Sequence, residues 1–183
     1  MNMLFGHYMP DDGSIDIMAE DGELIPLSLG NPQIALGAGI GMVHQHFTLA
    51  NNLTVYDNIV LGSEPLFGIK RDRSRATKKI NKIIEKSGLN ADLNNIVSNL
   101  SVGERQRVEI LKALYRDAKI LVLDEPTAVL TPQEADSLFS NIKAMTKSGL
   151  SVIFISHKLR EVLDFSDRIA VLRAGKKVGE MNT

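Results

Sequence analysis

The chain has 183 residues, of which 44% are hydrophobic, and this is enough for one domain with a buried core. Its 21 basic and 22 acidic residues leave a net charge of −1, so no overall field would draw it to nucleic acid or to an anionic membrane. The sequence contains no cysteine, which excludes disulfides and thiolate metal sites and agrees with a cytoplasmic location. The opening MNMLFGHYMP lacks a signal-peptide pattern, and no run approaches the roughly 18 apolar residues of a membrane span, so we expect membrane contact only through a partner.

Hydrophobic periodicity predicts strands and helices that alternate along most of the chain. In chain order, the predicted elements are strands at residues 14–18 and 41–43, helices at 71–86 and 103–116, a strand at 119–124, a helix at 133–146, and strands at 151–156 and 168–172. The runs ILVLDE and SVIFIS are almost continuously apolar, as in strands buried on both faces of a parallel sheet. We therefore predict an α/β fold with crossover helices, and a helical insertion over residues 53–100, where strand signals are weak.

Two acidic residues follow the apolar run in ILVLDEPTAVLTPQE, residues 120–134. Ligands of open α/β sheets bind at the carboxyl ends of the strands, and Asp124 and Glu125 are predicted to lie there. An aspartate at such a strand end can hold Mg²⁺ on a nucleotide, and the acid after it can activate water. The alternative is that both residues merely cap the turn before the helix that begins near Pro132.

A small-residue turn precedes the helix in NLSVGERQRVEILKAL, residues 99–114. The Ser101 hydroxyl and the backbone N–H groups near Val102 and Gly103 could face a phosphate, because a helix N-terminus favours an anion. The alternative is a plain serine N-cap, with Glu104 at position N3 completing a capping box. Taken alone, this stretch favours the alternative.

Polar side chains also follow the strands in SVIFISHKLREV and GMVHQHF. Ser156 and His157 end the first strand, where the histidine could contact a γ-phosphate, although a lone histidine after a strand is more often structural. Gln45 follows the second strand, and its amide could contact Mg²⁺ or water. His44 and His46 flank Gln45 without acidic or cysteine neighbours at metal-ligand spacing, so we interpret them as loop or packing residues.

Taken in order, VHQHF, LSVGE, LVLDEP and ISHKL resemble the Q-loop, the signature motif, the Walker B motif with its glutamate, and the switch histidine of ABC transporter ATPases. The resemblance runs from Met1 to about Met181. Val102, AVLTPQE and VEILKAL are most similar to the first ATPase domain of the double-domain proteins that energise sugar and nucleoside importers. GHYMPDDG and MVHQHF favour the nucleoside-type members.

The resemblance implies a role for each motif residue, with ATP and Mg²⁺ as cofactors. Asp124 would hold Mg²⁺ through water, and Gln45 would sense the metal and the helical region. Glu125 would act as the base or orient the attacking water, and His157 would contact the γ-phosphate. The residues that would complete the nucleotide site of a facing ATPase domain are Ser101, Val102 and Gly103.

The resemblance also implies an architecture and partners. It indicates a P-loop NTPase-like ABC ATPase domain with a mostly parallel sheet and a helical subdomain at about residues 53–116. The expected partners are membrane permease subunits, a second ABC ATPase domain and, indirectly, an extracytoplasmic solute-binding protein, with no nucleic acid. The expected location is the inner face of the cell membrane, where permease subunits would hold the protein from the cytoplasm.

A phosphate-gripping G-x-x-x-x-G-K-[ST] loop does not occur in the sequence. GAGIG, residues 37–41, precedes a strand and lacks the lysine, and AGKKVG has Lys177 where serine or threonine is required. MNMLFGHYMPDDG resembles the family's segment directly after that loop, so residues 1–183 are expected to form a partial domain without its first strands and P-loop. We therefore expect negligible Mg-ATP affinity for this chain alone and an unpaired edge in its sheet.

Family members commonly carry Gly, Gln and Asp where this chain has Val102, Glu104 and Thr131. Two alternatives to an importer ATPase stay open at this point. One is a decayed or split module without catalytic activity, which lends its signature motif to a partner ATPase. The other is a soluble ABC ATPase that acts on nucleic acid or ribosomes, although the near-neutral charge disfavours it. The basic run at residues 69–82 lacks interleaved aromatics, and we interpret it as a solvated helix face.

Overall fold

A parallel three-stranded sheet forms the centre of the fold. The structure, a computed structural model, describes residues 1–18, 22–63 and 72–183. The strands of the sheet, in spatial order, are β3 (Ile40–Val43), β4 (Ile120–Asp124) and β5 (Ser151–Ile155). Two antiparallel pairs lie outside this sheet, β1 (Asp16–Met18) with β2 (Leu24–Pro26) and β6 (Arg168–Arg173) with β7 (Lys176–Asn182). Because β3, β4 and β5 run parallel, their carboxyl ends meet at one edge.

Six α-helices and one 3₁₀ turn connect the strands in the described part of the chain. They are α1 (Pro32–Gly37), α2 (Val55–Val60), α3 (Arg73–Ser87), the 3₁₀ turn (Val97–Asn99), α4 (Val102–Tyr115), α5 (Pro132–Lys147) and α6 (Leu159–Phe165). The predicted long helices and strands are all present within two residues at each end, except that the predicted start of α3, Arg71, lies outside the described residues. The elements β2, α1, α6 and β7 have no predicted counterpart, because each is too short or too polar to show a clear period.

Strand β4 is buried on both faces, as its apolar run predicts. On one face, Leu121 and Leu123 join a large cluster built with α2, α3, α4 and α5. On the other face, Val122 joins a smaller cluster that includes Phe5 and Ile40. This double burial fixes the strand that carries Asp124 at its end.

The prediction of burial on both faces is wrong for β5, which is an outer strand of the three-stranded sheet. Val152 and Phe154 pack against the large cluster, whereas Ile153 and Ile155 are 39% and 37% exposed. The apolar run SVIFI cannot distinguish a central strand from an edge strand, since both carry β-branched residues. Among the described residues, β5 pairs only with β4.

Helix α3 carries the described part of the basic run on a solvated face. Ala76 and Ile80 are buried, while Arg75 and Lys78 are exposed. The helix is therefore amphipathic, and its charges are those of an ordinary outer face. Within the described ranges, no helix is long and apolar enough to cross a membrane.

Candidate functional site

The chain bends sharply directly after β4. Glu125 has a φ of +45°, in the left-handed region that residues with a side chain rarely adopt, and its N–H donates to the Ile155 carbonyl at 3.0 Å. Such strain persists where the surroundings hold it, often at functional sites. The next helix, α5, takes its N-cap from Thr131, six residues further on, and the Glu125 carbonyl accepts from the Ala128 N–H at 3.1 Å in the turn between them.

Three of the predicted site residues meet at the carboxylate of Glu125. Oε1 lies 3.0 Å from His157 Nδ1, and Oε2 accepts a hydrogen bond from Gln45 Nε2 at 3.4 Å. The three residues follow the ends of β4, β5 and β3, so the parallel sheet brings together side chains that are far apart in sequence.

The His157 ring is open to a ligand on its other side. Its side chain is 69% exposed, against 28% for Glu125. An imidazole whose Nδ1 faces a carboxylate donates from Nδ1 and presents Nε2 outward, and Nε2 can also donate when the ring is protonated. The arrangement suits contact with an anion next to a carboxylate.

The oxygen donors at this edge fit Mg²⁺ shared with a nucleotide. Gln45 turns its amide nitrogen to Glu125, which leaves its amide oxygen to face elsewhere, and the half-buried Asp124 supplies a carboxylate at the strand end. In the described residues, no three histidine or acidic side chains cluster as a closed metal site. Mg²⁺ usually binds one or two carboxylates and completes its shell with phosphate and water, so this sparse donor set suits it.

The signature turn, which consists of Ser101, Val102 and Gly103 at the start of α4, forms the capping box that the N-cap alternative predicts. Ser101 Oγ accepts from the Glu104 N–H at 3.3 Å, and Glu104 Oε2 accepts from the Ser101 N–H at 2.8 Å. Hydrogen bonds from the Ser101 backbone N–H and, second, from the Ser101 side chain lower the pKa of the Glu104 carboxyl below its ordinary value. Ser101 and Val102 are exposed beside this capping box.

Gly103 is buried for a packing reason. A Cβ on this residue would lie 2.6 Å from Oε1 of Glu134, at the start of α5. In the described part of the chain, no hydrogen bond or ion pair joins Ser101, Val102 or Gly103 to the carboxylate of Glu125. The signature turn and the Glu125 cluster are therefore separate features of the molecule.

A buried carboxylate that the sequence analysis missed, that of Glu161, lies close to the chain segments that carry Glu125 and His157. Glu161 accepts hydrogen bonds from the hydroxyls of Thr127 and Ser156 and pairs with Lys158 at 3.3 Å. The stretches DEPT and SHKLRE contain these residues, but nothing in their spacing shows that they meet. The two stretches meet because β4 and β5 are neighbours in the parallel sheet, and this pairing is not visible in the spacing of the residues.

A third carboxylate, Glu109, ties helix α4 to the segment that carries Gln45. Glu109 is 5% exposed and accepts from the backbone N–H of Thr48 at 2.5 Å and from its hydroxyl at 2.9 Å. Burial lowers the pKa of the neighbouring Lys112, and the charge of Glu109 partly offsets this. His44, in the same segment, stacks on His7 with ring centroids 5.5 Å apart.

The fold is α/β with a parallel sheet, and comparison with known proteins gives the family. A family model described as ABC transporter matches residues 1–128, and the chain belongs to the ABC transporter family. A solved ATP-binding cassette of an ABC transporter in its ADP conformation superposes with a TM-score of 0.82 at 25% identity, over 100% of this chain and 74% of that one. The predicted ABC ATPase fold is thereby confirmed.

Two curated relatives are import proteins. The chain is 43% identical over 211 positions to a glucose import ATP-binding protein of Haloferax volcanii, covering 100% of this chain and 38% of the relative. It is 46% identical over 178 positions to a nucleoside import ATP-binding protein of Lactococcus lactis, covering 97% of this chain and 34% of the relative. The chain therefore spans about a third of the length of these relatives.

Proposed function

We propose that this chain is part of the ATP-binding and ATP-hydrolysing component of an ABC importer for sugars or nucleosides. The observation that carries the proposal is the meeting of Gln45, Glu125 and His157 at the carboxyl edge of the parallel sheet, next to Asp124. Phosphoryl transfer is accelerated mainly by positioning and by stabilising charge, and side chains held in contact across three strand ends serve both purposes.

Each side chain has a role that its geometry supports. Glu125 orients the attacking water and accepts its proton, since its carboxylate is partly exposed and fixed by two neighbours. His157 contacts the γ-phosphate through Nε2, because Nδ1 is engaged by Glu125. Asp124 and Gln45 would hold Mg²⁺, which would supply positive charge to neutralise the phosphate groups.

The chain by itself binds Mg-ATP negligibly under this proposal. The 183 residues contain no G-x-x-x-x-G-K-[ST] loop, whose backbone N–H groups and lysine grip the phosphates in P-loop proteins. The described edge offers ligands for Mg²⁺ and the γ-phosphate only. A fluorescent-nucleotide titration of the 183-residue chain should therefore show no binding at micromolar concentrations, and micromolar affinity would contradict this part of the proposal.

The partners of the proposed component follow from the same assignment. Ser101, Val102 and Gly103 face the nucleotide of a second ABC ATPase domain. The helical subdomain that the resemblance implies at about residues 53–116, of which residues 64–71 lie outside the described part of the chain, faces membrane permease subunits. A solute-binding protein outside the membrane acts on the chain only through those subunits. The location is then the cytoplasmic face of the membrane. The names of both import relatives support this assignment.

A hybrid protein tests the proposal. The residues of this chain replace the aligned segment of the Lactococcus lactis nucleoside import protein, and nucleoside uptake is measured in cells that lack the native gene. Uptake by the hybrid supports the proposal. A hybrid that is produced and reaches the membrane but supports no uptake contradicts it.

One observation favours a second candidate, a non-catalytic module that lends its signature turn to a partner ATPase. Val102 is 41% exposed and Ser101 is exposed, so this turn is accessible while its helix stays capped. The test is a mixture of the 183-residue chain with a separate ABC ATPase domain. Stimulated ATP hydrolysis that is lost with Ser101→Asn, which keeps the cap, would favour the module.

A further inference from the structure

Glu125 and His157 lie on two different loops, and their own contact is too exposed to hold those loops in place. Glu125 follows β4 and His157 follows β5. Their 3.0 Å contact involves a histidine side chain that is 69% exposed, and polar contacts as exposed as this one contribute little to stability. The distance between the two loops must therefore be set by other contacts.

A buried carboxylate, that of Glu161, bonds to both loops. Each of its oxygens lies 2.7 Å from Thr127 Oγ1, and Oε2 lies 3.0 Å from Ser156 Oγ. Thr127 is two residues beyond Glu125, and Ser156 directly precedes His157. Glu161 is 8% exposed and Thr127 is 1% exposed, so these charge-assisted hydrogen bonds are shielded from water, where they are strong.

Lys158 completes the network on the other side of His157. Its Nζ lies 3.3 Å from Glu161 Oε1 and donates to the Thr127 carbonyl at 2.8 Å. Its backbone N–H donates to Ser156 Oγ at 3.1 Å. Both chain neighbours of His157 are thus held by one carboxylate and its partners.

The position of Glu161 in helix α6 shows that its carboxylate does not serve the helix itself. Glu161 is the third residue of α6, from which a glutamate commonly bonds back to the N-cap backbone. Here the carboxylate turns to Thr127 of the other loop instead. The ring of Phe165, also in α6, stacks on Phe139 of α5 with centroids 4.6 Å apart, so the helix that carries Glu161 is anchored in the core.

We propose that Glu161 is a positioning residue, which sets the His157–Glu125 contact by joining the loops after β4 and β5. The functional meaning of this positioning rests on the proposed function, which gives His157 and Glu125 their roles in ATP hydrolysis. The positioning itself is a property of the contacts within this chain, and it can be measured without ATP hydrolysis.

Long-range ¹⁵N–¹H correlation spectra of the histidine rings test the proposal in the 183-residue chain at neutral pH. His157→Gln assigns the His157 signal among the 4 histidines. Because Nδ1 lies against a carboxylate, the wild-type spectrum of His157 should show mainly the tautomer in which Nδ1 carries the proton. Glu161→Gln should shift this signal toward the tautomer-averaged pattern of an exposed imidazole.

Two substitutions at Thr127 refine the test, because they act on the hydroxyl alone. Thr127→Val removes it and should shift the His157 signal as Glu161→Gln does, whereas Thr127→Ser keeps it and should retain the wild-type signal. Glu134→Gln is the matched control, since Glu134 is the third residue of α5 and, among the described residues, its hydrogen bonds all lie within its own capping box. If Glu161→Gln fails to fold, the Thr127 pair decides the question. A wild-type His157 signal in folded Glu161→Gln or Thr127→Val protein overturns the proposal.

The same variants separate this proposal from the proposed function. In an importer that hydrolyses ATP, Glu161→Gln should lower kcat by about tenfold to a hundredfold with KM little changed, because misplaced groups slow the chemical step. A fall of the same size in kcat/KM that comes from a higher KM, with kcat unchanged, would contradict a positioning role. If the spectra change as expected but no assembly with this chain hydrolyses ATP, the positioning stands and the hydrolytic function fails.

Discussion

Replacing Ser101 by alanine measures how much the capping hydrogen bonds of this residue stabilise helix α4. The Ser101 hydroxyl accepts from the Glu104 N–H at 3.3 Å, and the Glu104 carboxylate accepts from the Ser101 N–H at 2.8 Å. Alanine removes the first bond and weakens the second, and loss of such a cap costs about 1 kcal/mol. For a chain of this length, the Tm measured by calorimetry should fall by about 2–4 °C.

Thr131→Ala is the matched control for Ser101→Ala. Thr131 and Glu134 form the same box at the start of α5, with corresponding distances of 3.3 and 2.9 Å. The two alanine variants should therefore lose a similar amount of stability, and Ser101→Asn should regain it, because asparagine caps as well as serine. An unchanged Tm in Ser101→Ala, or no recovery in Ser101→Asn, would refute this account of the signature turn.

Three further substitutions test other contacts. Hydrogen bonds lower the pKa of Glu104 from 4.5, so its carboxylate stabilises the fold above that value and loses its effect as pH falls through the lower folded-state pKa. Glu104→Gln should accordingly reduce the free energy of unfolding at neutral pH, and urea titrations should show the difference vanish in acid. Phe139→Ala should cost about 3–5 kcal/mol in urea unfolding, because the ring is 1% exposed and stacks on a neighbouring ring; a cost below about 1 kcal/mol would contradict that packing. Gly103→Ala should lower Tm by displacing the Glu134 carboxylate, 2.6 Å from the new Cβ, and should cost nothing more in a Glu134→Ala background.

The sequence predicts well those elements that depend on local periodicity. The strand that ends at Asp124 and the helix that begins at Val102 are both present, because each combines a clear apolar period with a recognisable end. The meeting of Gln45, Glu125 and His157 was also foreseeable, since parallel strands place their carboxyl ends at one edge.

The features that the sequence does not predict depend on the order and neighbours of the elements. The run SVIFI has the same apolar residues whether it is central or at an edge, so the exposure of Ile153 and Ile155 could not be read from it. Glu161 has no local signal either, because its partner Thr127 lies 34 residues away and is reached only through the pairing of β4 with β5. Buried polar networks of this kind are decided by tertiary contacts rather than by spacing.

Phosphate release by the purified hybrid importer, with and without Glu125→Gln, tests the central claim most directly. The glutamine variant keeps the size of the side chain and its place between Gln45 and His157, but it cannot accept a proton from water. The account predicts that the unaltered hybrid hydrolyses ATP and that Glu125→Gln lowers the rate about a hundredfold or more while nucleotide still binds. Hydrolysis at the unaltered rate in the Glu125→Gln hybrid would contradict it.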